Sequence, residues 1–153
     1  MRRFRFRLAP LLRLRSQMER SSRRELAVAL GEVNAVDQRI ASATAGIRDC
    51  ADQARQHGAV GLLAQQLETA LRRHEWRLRA DKQKAEQRAE AVRIDYVVKA
   101  RDLKALQKLH EKQLGEWRIA AAKSEQAELD ELARLGRAAL EGVDEAVDGS
   151  NES

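Results

Sequence analysis

The chain has 153 residues, with 29 Lys plus Arg against 24 Asp plus Glu, a formal net charge of +5 and only 3% aromatic residues. One proline and 8 glycines are too few for a β-sandwich or barrel, which needs a turn every ~8–12 residues. The chain also lacks the apolar runs of ~4–8 residues that build a parallel sheet. What remains is the Ala/Glu/Lys/Leu/Arg-rich class of long helices and coiled coils. Large apolar side chains are too scarce to fill a globular core, so burial is expected in a narrow seam between helices. The lone Cys50 cannot form an intramolecular disulfide, which fits a reducing cytoplasm. No apolar run reaches the ~18 residues of a membrane span, and Pro10 and Arg13 break up the short apolar stretch that a signal peptide would need.

The first element is a basic arm. Residues 1–24 hold 9 arginines and a single acid, Glu19, and Phe4 and Phe6 alternate with Arg3, Arg5 and Arg7. Such a segment suits an acidic protein surface, anionic lipid headgroups or phosphates; otherwise it is a solvated helix start. Pro10 is at home in a first helical turn, so helix one is predicted from about residue 10 to residue 56. From Leu26 a heptad ladder runs through Leu30, Val33, Asp37, Ile40, Thr44, Ile47, Ala51 and Ala54, and Leu8, Leu11, Leu12 and Met18 extend it upstream.

Gly58 and Gly61 mark the one strong interior break, so residues 57–61 are predicted to be a turn. Helix two is then expected over about 62–141. Its ladder is Leu67, Leu71, His74, Leu78, Asp81, Ala85, Arg88, Val92 and Tyr96, then Lys99, Leu103, Leu106, Leu109 or His110, Leu114 and Trp117. A short connection makes the helices antiparallel. Folding at the turn pairs Ile47 with Leu71, Ile40 with Leu78 and Met18 with Arg101, to within about a residue. Residues 119–141 then overhang as a single helix or pair with another molecule. Residues 1–141 thus read as a single coiled-coil domain in an all-α fold, a long two-helix antiparallel hairpin. The segment 142–153, with 5 acids among residues 141–153 and no base, reads as a flexible acidic tail.

Catalytic chemistry is hard to place on this chain. It has no GxxxxGK[ST], GxGxxG, HExxH or CxxC motif, and His57, His74 and His110 lie far apart. The carboxylates around Glu125, Glu128, Asp130 and Glu131 suit solvation and i,i+4 pairing on an exposed helix. No enzyme activity, cofactor or metal is expected. Nucleic-acid binding is opposed by the near-balance of charge beyond residue 24.

Three segments carry a resemblance. They are Phe4-Arg5-Phe6-Arg7-Leu8-Ala9-Pro10-Leu11-Leu12-Arg13-Leu14-Arg15, then Leu63 to His74, and finally Lys104 to Leu109 followed by Glu125 to Ala133. Together they resemble the flagellar export protein FliJ family, over residues 1–140. The resemblance implies a cytoplasmic component of the flagellar type III export apparatus, peripheral on the cytoplasmic face of the cell membrane. It implies a hairpin similar to the central shaft of rotary ATPases. The implied partners are the hexameric export ATPase, the cytoplasmic domain of the membrane export gate and empty export chaperones. The equivalent rod of virulence injectisomes shares this architecture. By position, the gate-contacting face corresponds to Leu63, Leu67, Ala70 and His74, whose spacing puts them on one helical stripe; the same stripe overlaps the expected seam, so both roles stand open. The shaft similarity places Phe4, Arg5, Phe6 and Arg7, with Leu129, Asp130, Glu131 and Leu132, near each other at the ATPase. Trp76 and Trp117 are either anchors for a partner or, for Trp117, seam filler. The competing reading is a generic basic coiled coil that binds nucleic acid or anionic membrane through residues 1–24.

Overall fold

The computed structural model describes residues 3–56 and 58–148, apart from the side chains from residue 139 onward. Two helices make up the fold, α1 (Ala9–Ala54) and α2 (Ala59–Asp148), and no strand occurs among the described residues. The all-α hairpin expected from the sequence is therefore present. Pro10 lies in the first turn of α1, where its missing N–H forfeits no helical hydrogen bond. The helical backbone of α2 runs to Asp148, past the boundary near residue 141 read from the charge shift. The end of the acidic segment, 149–153, lies outside the described residues.

The chain divides into two compact units, Pro10–Lys104 and Met1–Ala9 with Ala105–Ser153. In the first unit α1 and the early part of α2 pack antiparallel. Interhelical contacts link Arg15 to Asp102 at 3.1 Å, Ser22 to Asp95 at 3.2 Å, Asp37 to Lys82 at 2.7 Å and Thr44 to Glu75 at 3.1 Å. This is the register that sets Ile47 opposite Leu71, to within about a residue.

The turn is tighter than the sequence indicates. Arg55 N–H bonds Asp52 O at 3.4 Å and Gln56 N–H bonds Gln53 O at 3.0 Å, closing α1 with narrow turns. Gly58 takes φ 92, in the left-handed region. Gly61 is already helical; a Cβ there would stand 2.2 Å from the backbone oxygen of Gln56. One glycine therefore reverses the chain and the other allows the two helix ends to meet. His57 lies outside the described residues.

The phase of the seam departs from the sequence reading. On α2 the inward positions are Ala64, Glu68, Leu71, Glu75, Leu78, Lys82, Ala85, Ala89, Val92, Tyr96 and Lys99, each buried or half-buried. Leu71, Leu78, Ala85 and Val92 are where they were expected. Leu67, His74, Asp81 and Arg88 are exposed, and their places are taken by Glu68, Glu75, Lys82 and Ala89. On α1, Ala29 replaces Leu30 in the same way, and the buried Glu19 and Ser22 stand where Met18 was read as continuing the ladder. Both ladders keep the 3-4 alternation. The step of four falls one position away from where hydropathy alone puts it.

This seam is thin because its buried members are small. Ala29, Ala43, Ala64, Ala85 and Ala89 outnumber Ile47 and Leu78 among its most buried apolar residues. Polar seam members are satisfied in pairs. Glu75 accepts from Arg79 at 2.8 Å, and Thr44 Oγ1 lies 2.9 Å from Ile40 O and 3.1 Å from Glu75 Oε1, so its one proton serves one or the other. Asp95 accepts from Ser22, which is fully buried, and pairs with Lys99 at 2.7 Å. Among the described residues no buried side-chain nitrogen or oxygen is left without a partner.

Candidate docking faces

Four residues of early α2, Leu63, Leu67, Ala70 and His74, all face solvent; Leu63 is 68% and Leu67 52% exposed. The alternative that they fill the hairpin seam is removed, since Leu71 and Leu78 do so. Spaced 4, 3 and 4 along the helix, they form a stripe beside the seam. His74 and Leu71 line an open groove together with Ala35, Gln38 and Ser42 of α1, so this stripe borders a surface that both helices build. Trp76 is 74% exposed and makes no aromatic contact among the described residues.

In the second unit the arm is clasped to α2. Phe6 is buried and stands edge-on to His110, with ring centroids 4.9 Å apart. Phe4 lies 5.7 Å from the His110 ring and 5.9 Å from that of Trp117. Ala9 N–H bonds Phe6 O at 3.2 Å, which turns the chain into α1. Arg5 and Arg7 are exposed. The two phenylalanines are thus internal anchors, and Trp117 supports the arm.

Leu129, Asp130, Glu131 and Leu132 are all exposed on α2, with Leu129 at 62% and Leu132 at 65%. The structure does not bring them against the arm: Leu129 lies about 18 Å further along the helix than Trp117, at ~1.5 Å per residue. Leu135, at 60%, and Ile119, at 61%, are further exposed apolar residues of α2. From Arg118 to Ala138 only Ala121 is even half-buried.

The ionic features belong to the scaffold. Arg79 donates to the Glu75 carboxylate and holds it below the usual carboxylate range, against a desolvation that pushes it up. Lys99 does the same for Asp95, helped by Ser22. Asp37 raises Lys82. Among the described residues no group of three or more His, Cys, Asp or Glu side chains is placed to hold a metal ion. No helix is long and apolar enough to cross a membrane among those described.

The fold is an all-α helical hairpin that leaves apolar residues uncovered on its outer faces. A family model described as Flagellar FliJ protein matches residues 4–138, and the chain belongs to that family. Membership makes it a component of flagellar protein export. No curated protein matches it, and no solved structure does.

Proposed function

We propose that the chain acts as a stalk in the flagellar export ATPase hexamer and links that ring to the membrane export gate. The observation that carries this reading is the exposure of Leu63, Leu67, Ala70 and His74 beside the seam. Apolar side chains left out of a hairpin so poor in large apolar residues are surface that a partner can cover. In this role they meet the cytoplasmic domain of the gate. Arg5 and Arg7, clasped in place by Phe4 and Phe6, and the exposed stretch Leu129–Leu132 meet the ATPase. The chain works at the cytoplasmic face of the membrane, held there by its partners, and escorts empty export chaperones.

The test is the double variant Leu67→Ala with His74→Ala. It is expected to retain wild-type helicity by circular dichroism, bind the gate's cytoplasmic domain at least about tenfold more weakly, and reduce export and swimming. Wild-type affinity for the gate domain would overturn the gate assignment. Deleting residues 1–24 is expected to abolish stimulation of the ATPase ring; undiminished stimulation would remove the arm from the ATPase contact.

A further inference from the structure

Burial alternates along the arm. Arg3, Arg5 and Arg7 are exposed, Phe4 is half-buried and Phe6 is buried. Both rings reach His110, so they lie on one side of the arm although only one residue separates them. That is the signature of extended backbone, in which successive side chains point to opposite sides. Arg3 and Arg5 therefore stand on the outer side, about 6.6 Å apart, and Arg7 is exposed in the turn that follows them. Among the described residues none of them takes part in an ion pair. The neighbouring stretch of α2 adds exposed Lys108, Lys112 and Arg118 against Glu111 and Glu116, and only Lys112 and Glu116 approach each other, at 4.0 Å.

We propose that this clasped arm is a preorganised cationic strip for an acidic polypeptide surface, with Arg3, Arg5 and Arg7 as the contact residues and Phe4 and Phe6 as positioning residues. The inference rests on reading residues 4–7 as a docking element, and it names the chemistry that element recognises. Guanidinium groups pair with carboxylates through two parallel hydrogen bonds, which favours Arg over Lys where geometry is fixed. Holding the arm extended before binding removes most of the entropy its ordering would otherwise cost. The phenyl rings are occupied against His110 and Trp117, so they are not free to stack on nucleobases or to enter a lipid interface. What the arm offers outward is guanidinium alone, and the carboxylates of a protein partner match it.

The experiment uses the full chain and a fluorescent poly-L-glutamate peptide, titrated at low and at physiological salt. Replacing Arg3, Arg5 and Arg7 together by Gln is expected to weaken binding about tenfold, the combined worth of three exposed pairs. An equal loss of charge at Arg39, Arg48 and Arg55, each to Gln, is expected to change it no more than about twofold, since the nearest of them, Arg39, lies about 45 Å along α1 from Ala9 at ~1.5 Å per residue, beyond screening range of the strip. Phe4→Ala with Phe6→Ala, which keeps every arginine, is expected to weaken binding several-fold and to shift the Trp117 emission in a Trp76→Phe background.

The proposal is overturned if the two arginine triples weaken binding equally, or if the phenylalanine pair binds as the parent does. It is also overturned if phosphatidylserine vesicles or duplex DNA are bound through the arm more tightly than the peptide. Parallel assays of ATPase stimulation separate the two readings. Lost peptide binding with intact stimulation supports the strip and removes the arm from the ATPase. Intact peptide binding with lost stimulation does the reverse.

Discussion

Gly46 and Leu71 meet across the helix pair: a Cβ on Gly46 would stand 3.2 Å from Leu71 Cδ1. This contact fixes the phase of α2. With Leu71 turned toward α1, Leu67 and His74, four residues before and three after it, are carried onto the flank. The stripe of Leu63, Leu67, Ala70 and His74 is exposed because a different leucine fills the gap opposite a glycine.

Gly46→Leu would force that contact apart and is expected to destabilise the hairpin by about 1–3 kcal/mol, the range for overpacking. Gly46→Ala sets about 1 kcal/mol of helix propensity against a methyl that must move a few tenths of an ångström, so it is expected to lie close to neutral. Thermal melts followed by circular dichroism measure both. A Gly46→Leu protein as stable as the parent would show that the helices do not meet there.

The same phase separates two leucines of α2. Leu78 is 5% exposed and Leu63 is 68% exposed. Leu78→Ala is expected to cost about 2–3 kcal/mol, whereas Leu63→Ala should stay within about 0.5 kcal/mol. Urea denaturation with a shared slope for the variants provides the comparison, and a reversed order would return the Leu63 stripe to the seam.

At the turn, the two glycines differ in kind. Gly58→Ala places a Cβ in the left-handed region at φ 92, with nothing within 4 Å to collide with, and should cost about 1–2 kcal/mol. Gly61→Ala drives a methyl into the Gln56 carbonyl and should cost on the order of 3 kcal/mol or more, since backbone rather than a side chain must yield. Chemical denaturation of the two variants ranks them; equal costs would mean that the helix ends are not packed together.

The element count, the turn and the register were legible because Pro10, Gly58 and Gly61 punctuate an otherwise uninterrupted helical pattern, and a short connection leaves one way to fold. The seam phase was legible at Leu71, Leu78, Ala85 and Val92 and lost at the positions between them. At Glu68, Glu75 and Lys82 long charged side chains occupy half-buried seam positions while their heads find ions or hydroxyls, and hydropathy scores them as surface. Alanines such as Ala64 and Ala89 give almost no signal, although they are among the most buried residues. In the arm, the Phe-Arg alternation showed a two-sided segment. The partners of its apolar side, His110 and Trp117, lie more than a hundred residues away in sequence, and nothing local points to them.

The seam carboxylates give the hairpin an acid-sensitive joint. The Glu75 pKa is lowered chiefly by the hydrogen bond from Arg79, and the Asp95 pKa chiefly by that from Lys99. A group whose folded pKa lies below its unfolded value stabilises the fold fully above the unfolded value, about 4.3 for Glu and 3.9 for Asp. That contribution is lost as the pH falls through the depressed folded value. The melting temperature should therefore be flat with respect to these groups from pH 7 to about pH 5 and fall below about pH 4. Glu75→Gln keeps the shape and an acceptor for Thr44 but has no charge to lose, so its melting temperature should start lower at pH 7 and fall less steeply on acidification. Parallel melts of parent and variant between pH 7 and pH 3 decide the matter, and identical slopes would show that Glu75 carries none of the acid sensitivity.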